Sequence, residues 1–327
     1  MTTPTPKRAA ALGIVASLAL AACGGGATQS PGSEPTGGGG DLSGTVTIDG
    51  SSTVYPITEL VAEEFQLANG GVQVPVAFSG TGGGFKKFCT AETDINDASR
   101  PIKADDDEEG LACEANGVDY VELQVAIDGL TVVVNPDNDF ATCLTVEELA
   151  AIYGPDAPEE LLWSDVRSDF PAEPVERFMP GADSGTFDYF TEVVNGEVDA
   201  ATTFATQSEN DNELVTGVAG DTHAISFFGY AYFVENQEVL KAVEVDGGDG
   251  CVAPTEESIN DNSYAPLSRP LFIYPDTGKA RERPELKAFV DYYLDNTQEF
   301  STEVGYVALP DELLAAEVAE WEAAVGG

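Results

Sequence analysis

Thr45-Val46-Thr47-Ile48-Asp49-Gly50-Ser51-Ser52-Thr53-Val54-Tyr55-Pro56-Ile57 opens as a strand and closes as a helix. Thr45 to Ile48 alternate polar and apolar side chains with the period of a half-buried strand, and Val72 to Phe78 do the same. Between the two, Ile57, Leu60, Val61, Phe65 and Ala68 recur at helical spacing, with Pro56 suited to the first turn. Strand, glycine-serine turn, helix, strand is a βαβ unit, whose right-handed crossover sets its strands in a parallel sheet. The chain reads as α/β.

The same junction recurs twice. Ser79-Gly80-Thr81-Gly82-Gly83-Gly84 precedes a helix expected to start at Gly83 or Gly84 and to bury Phe85, Phe88 and Cys89. A strand at Val175 to Phe178 runs towards Asp183-Ser184-Gly185-Thr186, with Phe187, Phe190 and Val194 following at helical spacing. A third strand, marked by Ile95, ends in the turn Ala98-Ser99-Arg100-Pro101. Thr145 and Glu148 form a capping box that opens a helix to Tyr153. Ile225 to Val234 fits a strand or a buried helix start, and Pro284 to Asn296 and Pro310 to Val325 read as helices. Glu122 to Val134 is almost continuously strand-like and long enough to pass between two lobes, and Leu271 to Tyr274 is a second crossing strand. The lobes are then 44–128 plus 271–327, and 129–270, with a hinge at the two crossings.

Residues 1–22 read as an export signal: Lys7 and Arg8 precede an alanine-rich apolar run that is too short for a membrane span. Leu20-Ala21-Ala22-Cys23 ends that run and resembles a bacterial lipobox, which makes Cys23 the lipidated first residue of the mature chain. Residues 23–43, rich in Gly, Ser, Pro and Thr, have little to bury and form a flexible tether. Cys89, Cys113, Cys143 and Cys251 remain, an even number in an exported chain and therefore two disulfides. Three pairings are open; Cys89 with Cys113 and Cys143 with Cys251 is preferred because each bond then lies within one lobe. Zinc is disfavoured by the lack of C-x-x-C spacing and by a single histidine, His223, which reads as a packed residue.

Acidic residues number 58 against 14 basic ones, a formal charge of -44 that loss of the signal makes more negative still. This sign disfavours nucleic-acid binding and fits a solvated acidic surface. It also repels anions at long range, so an anion site here must rely on desolvated donors at short range.

Helix starts supply such donors. Each concentrates unpaired N–H groups and about half a positive charge. Glycines admit a close approach to the backbone, and the hydroxyls beside them add donors. One such turn is an ordinary helix cap; three at corresponding junctions, on both sides of a hinge, point to capture of a tetrahedral oxyanion. Arg100 follows a buried-looking strand in a chain with few cations, and its guanidinium suits two oxygens of such an anion. The competing reading of Arg100 is an ion pair with one of the many carboxylates. Lys86 and Lys87 read as solvated helix residues, and Arg177 and Arg269 as structural.

Four segments carry a resemblance. They are Ile48 to Thr58, Asp94 to Ile102 with its Ser99-Arg100-Pro101 ending, Gly181 to Phe190, and Pro266-Leu267-Ser268-Arg269-Pro270-Leu271. Together they resemble the phosphate-binding lipoprotein of the bacterial phosphate ABC importer, the PstS family, over essentially everything after the tether. The resemblance implies a two-lobed type II periplasmic-binding-protein fold with two crossing hinge strands. It further implies a monomer that encloses inorganic phosphate between its lobes, without cofactor or catalysis. Its lipid holds it on the extracytoplasmic face of the cell membrane, where it serves the membrane subunits of an ABC permease.

By motif position the first anion loop is Ser52, Thr53 and the Val54 backbone. Thr81 and Gly82 form the second, with Thr81 where the family usually has serine; Ser184, Gly185 and Thr186 form the third. Two departures matter. Many members have an arginine four residues before the third-loop serine, where this chain has Pro180, so Arg100 is expected to supply the guanidinium from the other lobe. Ser99 and Arg100 also occupy the region where many members place an aspartate that accepts the phosphate proton. Asp183 is the nearest replacement, unless it caps its own helix.

Two other functions compete. A binding protein for sulfate or molybdate would share the architecture and differ in the acceptor. An exported hydrolase would use Ser184 as nucleophile, but Asp-Ser-Gly-Thr is not a nucleophile elbow and no metal-ligand cluster is evident.

Overall fold

The computed structural model describes residues 42–182 and 184–326; the signal, Cys23, the tether up to residue 41 and Asp183 lie outside the described residues. One sheet orders its strands Ile48–Gly50, Ile95–Ala98, Ser268–Pro275, Leu123–Val134, Ala224–Gly229, Glu176–Pro180 and Thr206–Ser208. Lys241–Ala242 adds to Leu123–Val134 off this path. Pairing is parallel towards both edges. The βαβ unit itself is parallel too, but its outer strands pair as Gly44–Thr45 with Val72–Gln73 in a separate two-stranded sheet, shorter than the expected Thr45 to Ile48 and Val72 to Phe78. In the centre Leu123–Val134 and Ser268–Pro275 run antiparallel to each other and to their outer neighbours. These are the two crossing strands. Leu123 to Gly129 face Ser268–Pro275, and Leu130 to Val134 then face Ala224–Gly229.

A strand buried on both faces reads as a near-continuous run of apolar and β-branched residues, interrupted here only by Gln124 and by Asp128-Gly129, which is why this one is visible in the sequence. It also joins two cores. Leu123, Val125 and Ala126 pack with Ile57, Val61 and Phe65 of helix Tyr55–Ala68, Phe289 and Tyr293 of helix Pro284–Glu303, and Trp321. Leu130, Val132 and Val134 pack instead with Tyr153, Trp163, Phe190 and Phe227, and Val307 and Leu309 join them from the C-terminal part of the chain. The Phe190 and Phe227 rings stack with centroids 3.7 Å apart.

The Thr145–Glu148 capping box forms as expected. Ile225 to Val234 is both things at once, strand Ala224–Gly229 followed by helix Tyr230–Asn236. The second glycine-rich helix starts earlier than expected, at Thr81. Disulfides join Cys89 to Cys113 and Cys143 to Cys251, the preferred pairing. Arg177 is structural: its buried guanidinium donates to the carbonyls of Ile152, Pro158 and Glu159. No described helix is long and apolar enough to cross a membrane.

Asp97, beside Gly50 in the parallel pair under the first loop, is fully buried. Burial, reinforced by Asp49 and only partly offset by the Thr58 hydroxyl, pushes its carboxyl up to about 8. Its unfolded value is about 4. A carboxyl raised in the folded state costs stability progressively as pH climbs through that interval. Asp97→Asn should therefore melt above wild type at pH 8 and converge with it near pH 4. Equal melting at pH 8 would mean that the buried charge is already compensated.

Candidate functional site

Gly50 ends its strand at φ +148°, a conformation that favours glycine, and a Cβ there would meet the Asp97 carbonyl oxygen at 2.1 Å. The turn that follows is held by Ser51 N donating to Asp97 O at 2.9 Å and Thr53 N donating to Ser51 Oγ at 3.2 Å. Val54 then caps helix Tyr55–Ala68 with no side-chain bond. Gly80 caps helix Thr81–Phe88 and Ser184 caps helix Gly185–Phe190, again without a side-chain bond. Four other helices are closed by side chains, those of Thr145, Asn210, Thr255 and Asp276, each accepting from an amide of its own first turn, whereas Gly110–Asn116, Tyr230–Asn236, Pro284–Glu303 and Asp311–Val325 also start without such a bond. At the three loops hydroxyls are abundant, yet none is spent on its own helix start. In helix Tyr55–Ala68 the first-turn amides bond within the chain, Tyr55 N to Ser51 O and Ile57 N to Val54 O, and Pro56 has no N–H; in helix Thr81–Phe88 the amides of Thr81, Gly82 and Gly83 have no such bond among the described residues.

The first two loops share one cleft of about 680 Å³. Ser51, Ser52 and Thr53 line it with Gly80, Thr81 and Gly82, and the turn after Ile95–Ala98 adds Ser99 and Arg100. Thr81 Oγ1 accepts from Ser99 N at 3.1 Å, which ties this turn to the second loop. Helix Thr81–Phe88 lies directly on the strand of the first loop: a Cβ on Gly84 would meet Gly50 Cα at 2.5 Å and Asn96 Oδ1 at 2.0 Å. Glycine is required for that contact.

The opposite wall is formed by Asp188, Tyr189, Glu192 and Val193, with Pro266, Ser268 and Arg269. Ser184, Gly185 and Thr186 are not among the lining residues. Gly185 instead stands against the first loop, its Cβ position 4.0 Å from Thr53 Cα, and Tyr306 donates its hydroxyl to Thr53 O at 2.8 Å. Val54 is buried beneath the loop, and Asp183 lies outside the described residues.

Arg100 forms the ion pair of its competing reading, and does so in the cleft wall. It lines the cleft, and its fork is closed on Glu109, with Nη2 donating to Oε1 at 2.6 Å and Nη1 to Oε2 at 3.0 Å. Lys103 N also donates to Glu109 Oε2, at 2.8 Å. Burial would raise the Glu109 carboxyl, but these bonds hold it below the usual range. Lys87 is not an idle surface lysine: it donates to Asp49, which also accepts from Ser79 Oγ at 2.5 Å.

Arg269 corrects an expectation. Read as structural, it lines the cleft and donates through Nη2 to Thr53 Oγ1 at 2.8 Å. It sits directly across from Asp128 on the neighbouring crossing strand and contacts Asp128 Oδ2 at 3.3 Å. Burial raises the Asp128 carboxyl, and Arg269 opposes the shift. Asp188 is raised by burial, with Asp199 and Glu192 adding to the shift and Arg269 again opposing it. His223 is absent from the cleft and stacks on Phe140.

The model of the PBP superfamily domain matches residues 34–297. Protein SphX of Synechocystis sp. is 49% identical over 269 residues, covering 82% of this chain and 79% of that protein. The phosphate-binding protein PstS of Staphylococcus saprophyticus is 39% identical over 298 residues, 91% of this chain and 88% of that protein. A solved structure of a possible phosphate binding protein from Planctomyces limnophilus is 47% identical and superposes with a TM-score of 0.82, covering 87% of this chain and 99% of that one. Similarity of this depth over most of the chain, on a fold with two crossing strands and uncapped helix starts at one cleft, places the chain in the PstS family of the PBP superfamily.

Proposed function

We propose that the protein captures inorganic phosphate in this cleft and delivers it to the membrane subunits of an ABC importer. It does so from the extracytoplasmic face, anchored through a lipid on Cys23. The observation that carries the reading is the meeting of two hydroxyl-rich turns, Ser51 to Thr53 and Gly80 to Gly82, with Ser99 and Arg100 on one cleft. Ser52, Thr53, Thr81 and Ser99 offer hydroxyls, Thr81 and Gly82 offer amides, Arg100 offers charge, and Ser184 to Thr186 approach from beside Thr53. Lobes 44–128 plus 271–327 and 129–270 close over the anion by flexing at the crossing strands. The names of the relatives, one a phosphate-binding protein and one a possible phosphate binding protein, support the choice of phosphate.

Equilibrium titration with labelled phosphate tests this. One phosphate should bind per chain. Affinity should fall only modestly between low and physiological ionic strength, because desolvated dipoles are screened much less than surface charges. Excess sulfate should compete poorly. Equal competition by sulfate would make the site a general oxyanion site, and no uptake of either anion would remove the function.

A further inference from the structure

One edge of the Arg269 guanidinium is left without a hydrogen bond among the described residues. Nη2 is bonded to Thr53 Oγ1, and Nε and Nη2 both contact Asp128 Oδ2. The guanidinium carbon stands 3.5 Å from the centre of the Tyr189 ring, a cation–π contact that limits how the group can turn. Nη1 faces only Glu192 Oε2 at 3.5 Å, within ion-pair range but long for an N–H···O bond.

The two carboxylates on Arg269 are unequal. The Asp128 side chain is 2% exposed and cannot leave; the Glu192 side chain is 56% exposed and gives up little by returning to water. Glu192 lies on Thr191–Asn195, which winds as a π-helix and presents both Glu192 and Val193 to the cleft. Such turns are frequent at functional sites. The contrast with Arg100 is direct, since its partner Glu109 has a 6% exposed side chain and both oxygens bonded.

Resting on the phosphate reading above, we infer that Nη1 of Arg269 is an anion-binding edge of the cleft and that Glu192 is its resident counter-ion, displaced when phosphate arrives. Asp128 holds Nε and Nη2 and so aims Nη1, while Thr53 ties the same guanidinium to the first loop. In the empty cleft Glu192 occupies the edge as an internal competitor. Phosphate binding is then an exchange of one anion for another, and the net charge that the cleft gains is reduced by the carboxylate that leaves.

The test is calorimetric titration of the whole protein with inorganic phosphate, on wild type, Glu192→Gln, Arg269→Lys and the double variant. Glu192→Gln, a substitution at an exposed side chain, should tighten binding by about 3- to 10-fold, the scale of one exposed ion pair removed as competitor. Arg269→Lys keeps a cation for Asp128 but has no planar fork, and should weaken binding by about 10-fold or more. In the Arg269→Lys background the gain from Glu192→Gln should vanish, because the edge over which the two anions compete is gone. A gain that persists there would reflect only the general field and would overturn the exchange. So would an unchanged affinity in Glu192→Gln. If wild type takes up no phosphate, the phosphate reading falls and the exchange falls with it; if wild type binds and both single variants match it, only the exchange falls.

Discussion

Arg100→Ala should lower phosphate affinity by about 100-fold or more, a loss of about 3 kcal/mol, within the range for removing one partner of a hydrogen-bonded charge pair whose other partner, Glu109, is buried. Two effects act together. The cleft loses charge-assisted donors, and Glu109 loses both of its guanidinium bonds and keeps only the Lys103 amide. A neutral ion pair in the cleft wall becomes a bare carboxylate near the incoming anion. Arg100→Lys should recover part of the loss, since an ammonium restores the charge without the fork. The double change Arg100→Gln with Glu109→Gln separates the two effects. Near-complete recovery would assign Arg100 the task of neutralising Glu109, and continued weakness would assign it direct contact with phosphate. Wild-type affinity in Arg100→Ala, with the fold intact by circular dichroism, would leave the helix starts and the Arg269 edge as the site.

Gly84→Val should destabilise the protein by about 3 kcal/mol or more, at or beyond the upper end for overpacking, and should weaken phosphate binding as well. Even the first added carbon would sit 2.5 Å from Gly50 Cα and 2.0 Å from Asn96 Oδ1. The backbone at Gly50 cannot yield easily, because it is pinned against Asp97 in the parallel pair. Helix Thr81–Phe88 must therefore lift, and Thr81 and Gly82 move away from Thr53 with it. Chemical denaturation and a phosphate titration read the two consequences separately. An unchanged denaturation midpoint would show that the helix does not rest on that strand.

The elements legible in the sequence are those whose cause is local. Pro56 in the first turn and the Thr145–Glu148 box act within a few residues, and each appears where it is expected, whereas the strand expected at Thr45 to Ile48 is split into Gly44–Thr45 and Ile48–Gly50. The crossing strand Leu123–Val134 is legible because burial on both faces leaves a long, mostly apolar and β-branched stretch, with Asp128 as its one charge. The start of helix Thr81–Phe88 was misplaced because Gly82, Gly83 and Gly84 are poor helix formers, and the close approach to Gly50 that overrides this is a tertiary contact. Arg269 was misread for a similar reason. Its place in the cleft follows from pairing with Asp128, 141 residues away in sequence, and from the reach to Thr53 that this register permits. Glu109 closes a run of five acidic residues that resembles solvated surface, and only its position under the Arg100 turn reveals it as that fork's partner.

The two cores also set a timetable for a chain that emerges from its N-terminus. The core holding Trp163, Phe190 and Phe227 draws almost wholly on residues between 127 and 267, and can gather once that stretch is out. The core beneath the first anion loop cannot, because Val46, Ile48 and Phe65 wait for Phe289, Tyr293 and Trp321 from the far end. Half of the cleft is thus the first part of the chain to be made and the last to be finished. A chain released before Trp321 would carry the Ser51 to Val54 turn on a half without its floor, so any agent that holds the growing chain open need only delay its final helices to keep the anion site unbuilt.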